Sequence, residues 1–216
     1  MFKPMFKHFL PLTVLCLSLS ACSTLSSPFS SGAAPSRAAV APYREQVELT
    51  GRLNVVYQKG DKPESATVNF NWQQTAQRTD VTLYSPVGST LATIAVTPRE
   101  AVLTQSGKAP RSAPDVDTLS AQMLGWSLPV SGLRDWLQGY AVGADGKRFV
   151  ASPANDSVTT KDGWRLRYVS WQDTGENTPG ALPQPRRIDA ERNASAQADA
   201  VSLRIVLDPA TSAPAP

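Results

Sequence analysis

The sequence predicts a mainly β domain with short helices, in which an antiparallel meander has one apolar and one polar face and two short helices cover the apolar one. Three observations carry this expectation. Ala66-Thr-Val-Asn-Phe-Asn-Trp72 alternates strictly, so Ala66, Val68, Phe70 and Trp72 share one face and Thr67, Asn69 and Asn71 share the other. Val81 to Ser85 and Leu91 to Val96 read as two more strands on either side of Pro86-Val87-Gly88-Ser89, where Pro and Gly flank a single Val in a tight turn. Between Asp115 and Gly139 the apolar spacing changes from that of a strand to that of a helix.

The chain opens with Lys3 and Lys7, an apolar run from Phe9 to Leu19, and then Leu19-Ser20-Ala21-Cys22. A membrane-spanning helix needs about 20 apolar residues. This run is shorter and ends in small residues directly before a Cys, so residues 1–21 read as a lipoprotein signal peptide and Cys22 as the acylated first residue of the mature chain. Acyl chains on Cys22, at about 0.8 kcal/mol per buried methylene, anchor a protein without a spanning helix. Ser23, rather than Asp, follows the Cys, the pattern that Gram-negative sorting sends to the periplasmic face of the outer membrane. Up to residue 42 the composition is Ser, Ala, Pro and Gly with Arg37 as its one charge, a flexible linker with a reach of roughly 25 Å.

Removing residues 1–21 takes two of the 21 basic residues and leaves 19 against 18 acidic ones, a net charge of +1. The basic balance therefore belongs to the precursor and does not point to nucleic acid. His8 and Cys16 also leave with the signal, so the mature chain has no His, and Cys22 is its one Cys. A His-assisted Ser or Cys nucleophile is thereby excluded, a zinc site would need carboxylates alone, and no disulfide forms within one chain. No catalytic residue, metal site or cofactor is expected, and no GxxxxGK[ST] loop is present to couple nucleotide hydrolysis to function.

The folded domain is expected over residues 43–208, enough for one sizeable core. Its first strand, Val47 to Tyr57, places Val47, Leu49, Gly51, Leu53, Val55 and Tyr57 on one face, and Lys59-Gly60-Asp61 turns it into the strand that ends at Trp72. Ala101 to Thr104 adds a short strand. Asp115 or Asp117 can cap a helix through Leu119, Met123 and Leu124, and Ser131 can cap a second one with Leu133, Trp136 and Leu137 on its apolar face. A single sheet with one apolar face must close on itself or be covered. Two helices over the mouth of a curved sheet make a lid; a plain two-layer core without a cavity is the alternative. Trp164, Leu166 and Tyr168 face inward on a further strand to Trp171, Leu182-Pro183-Gln184-Pro185 is a loop or sheet edge, and Arg186 to Glu191 and Val201 to Leu207 form a last pair. Arg186, Arg187 and Arg192 read as a solvated basic face, and residues 209–216 as a disordered Pro/Ala-rich tail.

Taken together, Phe70-Asn-Trp-Gln-Gln74, Leu83-Tyr-Ser-Pro-Val-Gly-Ser89, Leu128-Pro129 followed by Leu133 and Trp136-Leu-Gln-Gly139, Trp164 to Tyr168, and Leu182-Pro183 resemble, in this order, the LolB family of the lipoprotein localisation pathway. The resemblance covers nearly the whole domain. It implies an incomplete antiparallel β-barrel with a helical lid over a hydrophobic cavity, in a monomeric outer-membrane receptor. Such a receptor takes acylated lipoprotein cargo from the periplasmic carrier LolA and releases it into the inner leaflet of the outer membrane. It further implies that Phe70, Trp72, Leu83, Leu133 and Trp136 face the acyl-chain cavity, and that Pro86, Val87 and Gly88 form the protruding membrane-delivery loop. Two positions depart from the family pattern: Val87 stands where a larger Leu is common, and a Pro common two positions after Gly139 is absent. Read without the resemblance, the same residues also suit a lipocalin-like lipoprotein that holds another amphiphile, a structural envelope lipoprotein with a filled core, or a hydrolase with two carboxyl groups facing one cleft.

Overall fold

The computed structural model describes residues 39–59, 62–124, 128–172, 182–194 and 200–209. The long alternating segments become its longest strands, β1 (Val47–Lys59) and β2 (Lys62–Gln74), paired from Val47 against Gln74 to Lys59 against Lys62. The two central residues of the turn between them, Gly60 and Asp61, lie outside the described residues. β3 (Thr79–Tyr84), β4 (Thr90–Val96), β5 (Ala101–Thr104) and the short β6 (Arg111–Ala113) continue the meander on one side. After two helices come β7 (Tyr140–Val142), β8 (Arg148–Val150), β9 (Ser157–Thr159), β10 (Arg165–Trp171), β11 (Pro185–Arg192) and β12 (Val201–Leu207). β12 returns to pair with β1, so ten strands make one sheet in the order β6-β5-β4-β3-β2-β1-β12-β11-β10-β9, and β7 and β8 pair separately. Every described pairing is antiparallel. β6 and β9 are the two ends of the sheet, which is not closed into a barrel.

The inward positions follow the period of two. Val47, Gly51 and Leu53 are buried on β1, Leu203 and Ile205 on β12, and Leu166 and Tyr168 on β10, while their alternates face water. Gly51 is a packing requirement rather than a turn residue. A Cβ there would run into the Val206 carbonyl and sit 3.0 Å from the Phe70 ring, which occupies the missing side chain's place across the β1–β2 pair.

The helices are α1 (Val116–Leu124) and α2 (Val130–Trp136). Asp115 caps α1: its carboxylate accepts the Thr118 N–H at 2.7 Å and the Thr118 hydroxyl at 2.7 Å, and these bonds hold its pKa below the usual 3.8. Ser131 does not cap α2 as expected, because it already lies inside the helix, whose N-cap is Pro129. Its N–H and hydroxyl instead donate to the Asp117 carboxylate, tying α2 to α1. The Ser120 hydroxyl adds a second tie, donating to Leu128 O at 3.1 Å and accepting the Leu128 N–H at 3.0 Å.

Trp136 and Trp164 pack with ring centroids 6.0 Å apart, Tyr168 stacks between Phe149 and Trp171, and the Tyr168 hydroxyl donates to Trp136 O at 3.3 Å. Burial pushes the Tyr168 phenol well above its ordinary value, which keeps this donor protonated. Two expectations change at the edges of the domain. Residues 39–42, read as the end of the linker, already belong to the fold: Val40 is buried against Gly139 and its N–H donates to Ala151 O at 3.0 Å. Arg192 does not sit on a solvated face with its neighbours. It occupies an inward position of β11, and its guanidinium lies 4.9 Å over the Trp164 ring with Nε and Nη2 buried. Arg187 is not a free solvated charge either: half-buried, it makes a two-point pair with Asp189 at 3.0 and 2.6 Å.

Candidate functional site

Between α2 and the concave face of the sheet lies a cavity of about 70 Å³ whose eleven lining side chains are all apolar. β1 and β2 supply Leu53, Phe70 and Trp72; β3, β4 and β12 supply Val81, Leu83, Ile94 and Ile205; the helical segment supplies Leu128, Val130, Leu133 and Leu137. The walls grade from open to closed. Leu83, Ile94 and Leu128 are half-exposed, whereas Trp72, Val81, Val130 and Leu137 are buried. Leu83 lies two residues nearer the β3–β4 turn than Val81, which faces Ile94 across β3 and β4. A site without a polar lining atom cannot orient a polar substrate or stabilise a charge, and an apolar chain is the ligand that suits it.

Phe70, Trp72, Leu83 and Leu133 thus meet at one cavity, and Trp136 is absent from its lining. The cause is helical geometry. Successive residues turn by about 100°, so Val130, Leu133 and Leu137 share a stripe while Trp136 points off to one flank, toward Trp164. Sequence reasoning left Val130 and Ile205 out of the site. No spacing pairs β12 with the helices; only the return of β12 to β1 brings Ile205 there.

The wall residue Trp72 is positioned by polar groups. Its Nε1–H donates to Gln74 Oε1 at 3.1 Å, and Gln74 Nε2 donates to the Tyr43 hydroxyl at 2.9 Å, whose charge environment includes the Asp135 carboxylate on α2. Arg134, the residue before, reaches the other way and donates to Thr75 O at 2.6 Å and Thr79 Oγ1 at 3.1 Å. The cavity wall and the covering helix are therefore one hydrogen-bonded unit.

Asp135 is half-buried. Desolvation raises its pKa above 3.8; the Tyr43 bond and then the charges of Arg134 and Arg148 oppose this, and Glu45 adds to the rise. A raised folded value means that the folded state holds this proton more tightly than the unfolded chain does. The stability it contributes is complete below the ordinary value and is lost as pH rises through the folded value. Asp135→Asn keeps an acceptor for Tyr43 and is expected to flatten that loss. Urea denaturation of both proteins between the ordinary carboxylate value and neutrality tests this, and parallel curves would assign the loss to another group.

The Pro86-Val87-Gly88 turn projects beyond β3 and β4, the two strands that carry Leu83 and Ile94. Gly88 N–H donates to Ser85 O at 2.9 Å, Ser85 and Ser89 close the loop at 2.8 Å, and Gly88 takes a φ of 90°. Val87 is 89% exposed, and Leu91, the extra residue of the bulge between Thr90 and Ala92, is 44% exposed. Cys22, the expected lipid attachment, lies outside the described residues.

The family profile described as outer membrane lipoprotein LolB matches residues 45–209. An outer-membrane lipoprotein LolB of Cupriavidus metallidurans is 39% identical over 92% of this chain and 95% of its own length. One from Cupriavidus taiwanensis is 37% identical over 93% of this chain and 97% of its own length. Among solved structures, a LolA superfamily protein from Nitrosomonas europaea covers 74% of this chain and 84% of its own, at 9% identity and a TM-score of 0.41, too distant to bear on function.

Proposed function

We propose, on the premise that this chain belongs to the LolB family of outer-membrane lipoproteins, that it takes acylated lipoproteins from the LolA carrier and inserts them into the inner leaflet of the outer membrane. It is a lipid-anchored outer-membrane lipoprotein that serves as a receptor in lipoprotein localisation. The observation that carries the finer reading is the all-apolar cavity under α2, two of whose wall residues, Leu83 and Ile94, stand on the strands that the exposed Val87 turn connects. In this reading Phe70, Trp72, Leu83 and Leu133 hold the acyl chain, Pro86, Val87 and Gly88 meet the lipid, and acylated Cys22 tethers a monomer through residues 23–38.

The energetics follow from the cargo. Each methylene left in water costs about 0.8 kcal/mol, so a soluble intermediate must bury nearly all of them. At about 70 Å³ the cavity is far below the roughly 300–1,000 Å³ of ordinary ligand pockets. Uptake therefore requires its walls to move. No nucleotide drives the hand-over here; its direction comes from the receptor binding the acyl chains more tightly than the carrier does.

The experiment is a transfer assay. LolA loaded with an acylated lipoprotein is mixed with the unlipidated chain from Ser23 onward, and the partners are separated by pull-down. Cargo is expected on the Ser23 chain. Cargo that remains on the carrier while that chain is folded, as judged by circular dichroism, would leave a lipocalin-like or structural lipoprotein as the better account.

A further inference from the structure

The cavity ends at Trp72 and Val130, and the same two side chains form one wall of a second space. On their far side, toward the β2–β3 turn, is a groove of about 300 Å³ lined by Val96, Val116 and the exposed Pro98 and Ala76 among others. The two spaces follow one another along the same strands: Val81 and Ile94 line the first, and Thr79 and Val96, two residues along, line the second. Trp72 is the partition, and the hydrogen bond from its indole to Gln74 holds it in place.

We propose that this groove is the distal half of the acyl-chain site and that Trp72 is its gate, so that a hydrocarbon chain which has filled the first cavity passes Trp72 and lies on Val96, Pro98 and Val116. The inference rests on the receptor reading above. Three features favour a hydrocarbon occupant. The two spaces share Trp72 and Val130 as a common wall, so a chain that fills the first meets the second directly behind it. The first cavity is several times too small for a chain, and the groove is the larger space directly behind its end wall. Half of the groove's fourteen lining residues are apolar, and of its polar ones Arg134, Arg78, Asp115 and Ser131 are already paired, with Thr75 and Thr79, with Asp80, with Thr118 and with Asp117. Arg134 of α2 donates to Thr75 O and Thr79 Oγ1 beside Trp72, which ties the partition's surroundings to the covering helix.

The test uses the unlipidated chain from Ser23 onward and saturated fatty acids from octanoate to stearate, titrated by calorimetry. In the wild type, affinity should rise by about fourfold per added methylene through the long members of the series. Ala76 is exposed, so Ala76→Trp fills the groove without disturbing the core. In this variant octanoate should bind as before, and the gain per methylene should stop partway along the series. As a second readout, Ala76→Cys labelled with a solvent-sensitive dye should shift to the blue with stearate and not with octanoate. A full wild-type series in Ala76→Trp, an early plateau in the wild type, or stearate binding without a dye shift would each overturn the groove while cargo transfer from LolA still supported the receptor reading. If the wild type neither bound fatty acid nor took cargo, both would fall together.

Discussion

Val87→Glu takes up cargo from the carrier as the wild type does and fails to deliver it to liposomes. The turn that presents Val87 is closed by backbone bonds between Ser85, Gly88 and Ser89 and by the positive φ of Gly88, none of which uses the Val87 side chain. The substitution should therefore leave fold, cavity and uptake untouched. Burying a Val side chain in an apolar phase is worth about 1.5–3 kcal/mol, a factor of roughly 10–150 in partition, and a carboxylate reverses the sign of that contribution. Val87→Leu adds one methylene and should raise the rate of delivery about fourfold if membrane contact limits it. The assay is release of labelled lipoprotein into vesicles from pre-loaded receptor. Delivery by Val87→Glu at the wild-type rate would remove this turn from the mechanism.

Trp164→Ala should destabilise the domain by about 3–5 kcal/mol. Trp164 is 1% exposed and serves two elements at once: α2 rests on it through Trp136 at 6.0 Å, and the Arg192 guanidinium lies over its face at 4.9 Å. Truncation opens a void between them and leaves the buried Nε and Nη2 of Arg192 without their aromatic platform. At about 2–4 °C per kcal/mol for a domain of this size, the thermal midpoint should fall by roughly 6–20 °C. Trp164 does not line the cavity, so below its midpoint the variant should bind octanoate as the wild type does. A change under about 1 kcal/mol in urea denaturation would show that α2 is held by its polar ties rather than by this aromatic ledge.

Much of this architecture is legible in the order of residues. Alternation over Val47–Tyr57, Ala66–Trp72 and Val201–Leu207 gave the strands and most of their buried faces, because a strand's inward side is set by a local period of two, although Ala66, read on the apolar face, is exposed where β2 runs on toward its turn, and Leu91–Val96, read as an apolar run, gave a strand without a face. The cap at Asp115 and the exposed tip at Val87 were equally readable, since each depends on the chemistry of four or five consecutive residues. The strands that escaped notice, β6, β7, β8 and β9, have three residues each, too few for a period to appear, although Asp145-Gly146 between β7 and β8 carried a hairpin signal.

What the sequence determined by itself was the compartment it addresses, the run of strands and the turn that presents Val87; each rests on local composition or spacing. The tertiary structure alone decided which way Trp136 points, that Arg192 turns inward onto Trp164, that Val40 joins the core, and that the cavity ends at a Trp72 held by Gln74 and, through it, Tyr43. Those outcomes depend on contacts between residues tens of positions apart. They exist only once β12 has returned to β1 and α2 has settled on the sheet, and no pattern within one segment encodes where another segment will lie.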